Sequence, residues 1–235
     1  MPDTRSAGAV LEVRDLTKAY ASPDGERVLV IDVPRFRMDF GDFVALQGSS
    51  GSGKTTFLNL IAGILRPDSG EIAFAGERIT ALSEADRDRV RATGIGYVFQ
   101  TFNLLQGYTA LENVLLGMMF GRGANAAFAK SLLERVGLRD RMNYKPRQLS
   151  VGQQQRVAVA RALANHPKLV LADEPTGNLD RHHAGEALTL MQEVCREQGA
   201  ALLLVSHDHE ILRRFENVQD LALLNRAMAS GAGER

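Results

Sequence analysis

The chain has 235 residues, 45% of them hydrophobic and 24% charged, with 28 Lys plus Arg set against 28 Asp plus Glu and a single cysteine, Cys195. This composition suits a folded chain long enough to bury a core and excludes a disordered or fibrous protein. A formal net charge of zero gives no broad attraction to a polyanion, and one cysteine excludes an intrachain disulfide framework or a cysteine-only zinc site, which fits a reducing, cytoplasmic setting.

The first residues, Met1 to Val10, mix Asp3 and Arg5 with small side chains and carry no apolar core of a secretory signal, so export is not expected. Alternating stretches around Leu11 to Leu16 and Val28 to Phe36 predict a small antiparallel β appendage. Four apolar runs follow: Phe43 to Leu46, Ile95 to Phe99, Leu169 to Ala172 and Ala201 to Val205. They alternate with amphipathic stretches, the rhythm of a parallel sheet covered by helices. Each run leads directly into polar residues: Gln47 to Thr56, Gln100, Asp173 with Glu174, and Ser206 to Asp208. Ligands of open α/β sheets bind outside the carboxyl ends of the strands, so these four groups describe one site. The longest apolar runs, such as Val114 to Gly121, fall far short of the ~20 residues that span a membrane.

Ser83 with Asp86 opens a charged helix closed by Gly94, whose Arg87, Asp88, Arg89 and Arg91 read as a solvated face. Thr109 and Glu112 form a capping box ahead of Val114, Leu115, Met118 and Met119, and Phe128, Leu132, Leu133 and Val136 recur at helical spacing before Gly137. A helical subdomain is expected from about Phe102 to Leu149, reaching about residue 164 with the helix Gln154 to Ala164, inside one domain spanning 1–235. Within it, Arg135, Arg139, Arg141, Lys145 and Arg147 read as another solvated face. The tail Ser230 to Arg235 is expected to fray.

Gly48-Ser49-Ser50-Gly51-Ser52-Gly53-Lys54-Thr55 is a full match to the phosphate-binding loop, with Thr56 beside it. Its glycines let backbone N–H groups curl inward onto phosphate oxygens at the positive end of a helix, Lys54 reaches the β and γ phosphates, and the Thr55 hydroxyl goes to Mg²⁺. Asp173 and Glu174 end an apolar strand: Asp173 is suited to bind the metal, and Glu174 to orient and polarise a water. Ser150 and Gln153 are spaced as a capping box, which alone explains them. A helix start with a free hydroxyl and Gly152 is also an anion site, available to a nucleotide held by another copy.

The set Gly48 to Thr55, Gln100, Leu149 to Gln153, Asp173 with Glu174, Asp180 and His207, in this order, resembles the ATP-binding cassette (ABC) ATPases over about Val10 to Asn225. Gly96 to Gln100 with Phe102 to Leu105, Thr109 to Val114 and Pro175 to Asp180 look more narrowly like the lipoprotein-releasing and macrolide-exporter subgroup. The resemblance implies an α/β P-loop NTPase fold, a RecA-like parallel sheet core with a small antiparallel β subdomain and an inserted helical subdomain. It implies two cassettes, a homodimer or a paired second cassette, sandwiching two ATP molecules. Ser150, Gly152 and Gln153 would face the γ-phosphate of the other subunit, with Asp180 across the interface. Gln100 would touch Mg²⁺ and the water, His207 the γ-phosphate, and Tyr20 would stack on adenine. The chain departs from many relatives at Val151, where Gly is usual, and at Gln106, where Pro is frequent.

The expected function is Mg²⁺-dependent ATP hydrolysis that drives a separate transmembrane permease, in export or lipid extraction, from the inner face of the cell membrane. Alternatives are an ATP-gated scaffold of a division-type membrane complex and a soluble cassette acting on DNA or ribosomes. Intact Glu174 argues for turnover, and no nucleic-acid partner is expected. Phe102, Leu104, Leu105 and Tyr108, beside Gln106-Gly107, are read as a groove for a short helix of the membrane partner, the alternative being that they pack inside the subdomain.

Overall fold

The structure is a computed structural model describing residues 8–230; the expectations on residues 1–7 and 231–235 lie outside it. Ala9–Ala21 (β1) pairs antiparallel with Arg27–Asp39 (β2). Phe43–Gln47 (β3) then leads through the glycine-rich loop into Lys54–Ile61 (α1). The chain returns to the first sheet as Ser69–Phe74 (β4) and Glu77–Arg78 (β5), giving the order β2-β1-β4-β5. The antiparallel part is therefore larger than the first 40 residues suggested.

Glu84–Gly94 (α2) carries the chain to Ile95–Val98 (β6). Ala110–Met119 (α3), Ala126–Arg135 (α4) and Val151–Ala162 (α5) follow, with two 3-10 turns between α4 and α5. The last part alternates strand and helix: Leu169–Asp173 (β7), Arg181–Gln198 (α6), Ala201–Ser206 (β8), His209–Leu212 (α7), Asn217–Asp220 (β9), Leu221–Leu224 (α8) and Ala227–Ser230 (α9). The second sheet is parallel, in the order β6-β7-β8-β3-β9 among the described residues. Its edge strand β9, Asn-Val-Gln-Asp, has no apolar run to announce it.

Every residue of β7 and β8 is buried, and alternation divides them between two cores. Val170, Ala172, Leu202 and Leu204 pack under α3, α5 and α6, whereas Leu169, Leu171, Leu203 and Val205 pack with α1 and the antiparallel sheet. Each of these valine and leucine side chains contributes about 1.5–3 kcal/mol on burial. No helix among the described residues is long and apolar enough to cross a membrane.

The capping boxes at Thr109 and Ser150 form as expected, but α5 begins at Val151, three residues before the expected start, and ends at Ala162. The solvated face expected on α2 needs correction. Arg87 is buried and its Nε donates to the Gly63 carbonyl at 3.0 Å, with Arg91 adding a bond at 3.3 Å. Both cations complement the carbonyl end of α1. Likewise Arg135 is bound to Glu193 and Glu197 of α6 and Arg139 to Glu134, so the basic stretch is partly neutralised.

Gly96 seats β6 against α5: a Cβ there would run into the Ala162 carbonyl oxygen. Gly96→Ala is expected to lower stability by about 1–3 kcal/mol, seen as a fall in thermal midpoint of roughly 2–12 °C for a chain of this size. An unchanged midpoint would contradict this packing.

Candidate functional site

Three neighbouring strands end level with one another. Asp173 pairs with Val205 and Gln47 with Ser206, so the next residues, Glu174, His207 and Gly48, emerge side by side at the carboxyl edge. The Gly48 N–H donates to the Ser206 carbonyl at 3.3 Å and the Glu174 N–H to the Val205 carbonyl at 3.0 Å, carrying the ladder past the strands.

After β3 the chain curls through Gly51 and Gly53, at φ 79° and 88°, a left-handed conformation that costs other residues about 1–2 kcal/mol. At Gly53 a side chain would also press on Ile31 at 2.9 Å and the Val30 carbonyl at 3.1 Å. Lys54 folds back along the loop, its Nζ donating to the Gly48 and Ser49 carbonyls at 2.8 and 2.9 Å and lying 3.3 Å from Glu174 Oε1. Both partners of this ion pair are 8% exposed, and charges this buried persist when paired.

Glu174 holds φ 43°, rare for a residue with a side chain. Its Oε1 meets His207 Nδ1 at 2.7 Å and its Oε2 accepts from Ser206 Oγ at 3.1 Å. A single carboxylate oxygen thus receives both Lys54 and His207.

Asp173 is buried one residue earlier. Burial raises its pKa, the Thr55 side chain acts in the opposite sense, and the Glu174 charge adds to the rise. Asp173 Oδ1 and Ser52 Oγ are buried without hydrogen-bond partners among the described residues. An unpaired buried carboxylate oxygen with a threonine hydroxyl beside it fits a hydrated divalent cation such as Mg²⁺.

A cleft of about 310 Å³ is lined by Val30, Ser50, Gly51, Gly53, Lys54, Thr55, Thr56, Gln100, Glu174 and His207, with the buried Asp173 behind its wall rather than in it. Gln100 is held from behind by Asn178, whose Nδ2 donates to the Gln100 carbonyl at 2.8 Å. Tyr20 lies outside the cleft wall; it is 40% exposed on β1 opposite Val28, two residues from Val30. Ser150, Gly152, Gln153 and Asp180 are also absent from the wall. Ser150 and Gln153 close a reciprocal cap on α5 at 3.3 and 3.0 Å, and Asp180 caps α6 by accepting the His183 N–H at 3.1 Å.

Gln155 and Arg161 were not singled out by the motifs, whereas Ser206 belongs to the polar run expected at the site, Ser206 to Asp208. Ser206 Oγ bonds Glu174 and accepts the Asp208 N–H at 3.0 Å. Gln155 is fully buried on α5 and donates to the Pro175 carbonyl, next to Glu174, at 2.7 Å. Arg161, with its pKa lowered by burial, donates to the Phe102 and Asn103 carbonyls at 2.6 and 2.7 Å. These two residues, at φ 59° and 48°, turn the chain just after Gln100. Gln155 and Arg161 at positions in line with the buried Val157, Ala158 and Ala162 of an amphipathic helix were the available signal.

The expected docking groove divides. Phe102 and Leu104 are buried in the core, while Leu105 and Tyr108 are 49% and 47% exposed. Asn113 shapes their loop, accepting the Leu105 N–H at 2.9 Å and donating to the Leu105, Tyr108 and Thr109 carbonyls. A larger cleft, about 750 Å³, opens between α2, β6, α3 and α5 and is lined by Arg89, Tyr97, Phe99, Phe120, Arg161 and Asn165 among others.

The sequence family described as ABC transporter matches residues 31–177. The chain is 46% identical over 222 residues to the lipoprotein-releasing system ATP-binding protein LolD of Xanthomonas axonopodis pv. citri, covering 92% of this chain and 90% of that one. It is 43% identical to LolD of Pseudomonas fluorescens, covering 92% and 96%. Among solved structures it resembles a bacterial ABC transporter cassette in its dimeric form, with TM-score 0.81, 37% identity and coverage of 89% and 93%. The same cassette in a post-hydrolysis dimer bound to ADP and Pi gives TM-score 0.80, 35% identity and coverage of 92% and 95%.

The raised pKa of Asp173 means that its charged form costs metal-free stability. That cost is fully present above the raised pKa and is relieved as pH falls through it toward the ordinary carboxylate range. Asp173→Asn should therefore raise the thermal midpoint of the metal-free chain at neutral pH, by a margin that shrinks on acidification, while abolishing Mg²⁺-dependent ATP hydrolysis. A lower neutral midpoint would overturn this assignment of the cost.

Proposed function

The chain belongs to the ABC transporter family, and from that membership and the geometry of its cleft we propose that it powers release of lipoproteins or a related lipid extraction. It is an ATP-binding, ATP-hydrolysing transporter subunit that uses ATP with Mg²⁺ and works as a paired cassette with a separate transmembrane permease. The proposed seat is the cytoplasmic face of the membrane, bound peripherally beneath the permease, and the lipoprotein assignment is supported by the LolD relatives. In this proposal residues 1–235 are one cassette domain with a helical subdomain at about 102–164, of which Phe102 to Leu149 moves with nucleotide.

The observation that carries the reading is the convergence of Lys54 and His207 on Glu174 at the mouth of the phosphate loop. In the proposed mechanism the backbone N–H groups from Gly48 to Thr56 bind the phosphates and Tyr20 stacks on the adenine. Lys54, already beside Glu174, moves its ammonium onto the β and γ phosphates. Thr55, Gln100 and Asp173 would hold Mg²⁺, which when bound offsets charge on the β and γ phosphates. Glu174 orients the attacking water and accepts its proton as the water oxygen bonds to the γ-phosphorus and the bond to the β–γ bridging oxygen breaks, giving ADP and phosphate. His207, held at Nδ1 by Glu174, offers its other ring nitrogen to the γ-phosphate. Ser150, Gly152 and Gln153, capped and outside their own cleft, serve the partner's γ-phosphate, with Asp180 across the interface.

Glu174→Gln should keep ATP affinity but lose hydrolysis by about 10²- to 10⁴-fold, and it should accumulate as an ATP-bound dimer in sizing experiments. Adding Ser150→Arg should dissolve that dimer with ATP still bound to each chain. Turnover by Glu174→Gln above about a tenth of the parent rate contradicts its role as base, and an intact double-variant dimer contradicts the cross-subunit role of Ser150.

For the permease, the larger cleft supports docking of a short amphipathic helix from the membrane protein. Phe120 on its rim is 81% exposed, and Arg161 in its wall grips the loop that begins at Gln100. Phe120→Glu and Leu105→Glu should each abolish co-purification with the permease while the isolated chain remains folded with its ATPase within a few-fold of the parent. Undiminished co-purification by both folded variants would rule out this docking face.

A further inference from the structure

Asn225 lies outside every motif, yet it is fully buried, and besides accepting the Ala227 N–H at 3.3 Å in its own turn, its side-chain amide reaches the nucleotide end of the fold. Its Oδ1 accepts the Asp32 N–H at 2.7 Å and its Nδ2 donates to the Val30 carbonyl at 2.8 Å, so one side chain pairs with β2 as a strand neighbour would. The Arg226 N–H continues the pairing to the Asp32 carbonyl at 2.8 Å. The same Nδ2 lies 3.5 Å from the Ser52 carbonyl, inside the phosphate loop.

Both carbonyls that meet this amide flank Gly53. Val30 lines the cleft, and its carbonyl, with the Ile31 side chain, is what a Gly53 side chain would press on. In a planar trans peptide the C=O and N–H point in opposite directions. Turning the Ser52 carbonyl toward Asn225 therefore turns the Gly53 N–H away from Asn225, and Gly53 itself borders the cleft.

We propose that Asn225 is a positioning residue for nucleotide binding: it straps the segment after β9 to β2 and fixes the Ser52–Gly53 peptide so that its N–H is preset for a phosphate oxygen. This rests on the reading of Gly48 to Thr55 as the phosphate site, and it adds a residue 173 positions away from the loop it serves. A preset donor acts on binding, so the strap belongs to KM rather than to the chemical step.

The test compares the parent chain, Lys54→Ala and Asn225→Ala in ATP titrations and steady-state kinetics. Loss of ATP binding in Lys54→Ala supports the phosphate site itself, and retained binding would sink that reading independently of Asn225. Asn225→Ala should raise KM for ATP by about five- to tenfold, the scale of one lost buried hydrogen-bonding group, with kcat per folded chain within about twofold. A merely structural role would reduce the folded fraction and leave KM of the remainder unchanged, and that result overturns the proposal. If Asn225→Ala does not fold, hydrogen exchange on the unmodified chain decides, because coupling between strap and ATP is reciprocal. Saturating ATP should slow exchange of the Asp32 amide by more than it slows that of Leu188, a core residue of α6. Equal slowing of the two amides overturns the proposal.

Discussion

The level ends of β7, β8 and β3 are the constraint from which the site follows. Parallel neighbours stand about 4.8 Å apart, and the register pairs Asp173 with Val205 and Gln47 with Ser206. The residue after each strand therefore starts within side-chain reach of the other two. Nothing beyond a two-residue overshoot is needed to bring Glu174, His207 and the phosphate loop together. β6 enters the same edge one neighbour further out, with Val98 opposite Ala172, which brings Gln100 to the rim. A slip of one residue between β7 and β8 would exchange the faces of their alternating side chains and move Glu174 out of line, so the two cores enforce the alignment of the chemistry.

That arrangement is held at a cost to stability. Glu174 occupies a left-handed conformation, Lys54 and Glu174 are buried charges, and Ser52 Oγ and Asp173 Oδ1 lack partners among the described residues. Strain and unsatisfied groups of this kind cluster where a ligand is to be bound. The register of fully buried strands and the clamp from Ser206 supply the rigidity that keeps them in place.

Much of this was legible in the sequence because the signals are local. The phosphate loop, the paired carboxylates and the capping boxes at Thr109 and Ser150 each lie within a few residues, and the chemistry of each segment can be read without knowing its neighbours. What escaped was long-range. Arg87 looked like part of a charged surface because Gly63, whose carbonyl it binds, is 24 positions away. Gln155, Arg161 and Asn225 act on backbone carbonyls far along the chain, and a carbonyl has no signature in a sequence. The division of Phe102 and Leu104 from Leu105 and Tyr108 depends on the left-handed turn at Phe102 and Asn103, made without glycine. Strand β9 was hidden because an edge strand need not be apolar.

The bond between Asn225 and Val30 spans 195 positions, and it gives the molecule an order of assembly. During synthesis at about 5–20 residues per second, roughly 10–40 s separate the making of β2 from the making of the residue that braces it. β3 waits almost as long, since its neighbours β8 and β9 come late in the chain. The β1–β2 hairpin, built from local contacts, forms without that delay. A nascent chain therefore carries the finished glycine-rich loop sequence long before it carries the strands β8 and β9 and the Asn225 side chain that pack around that loop.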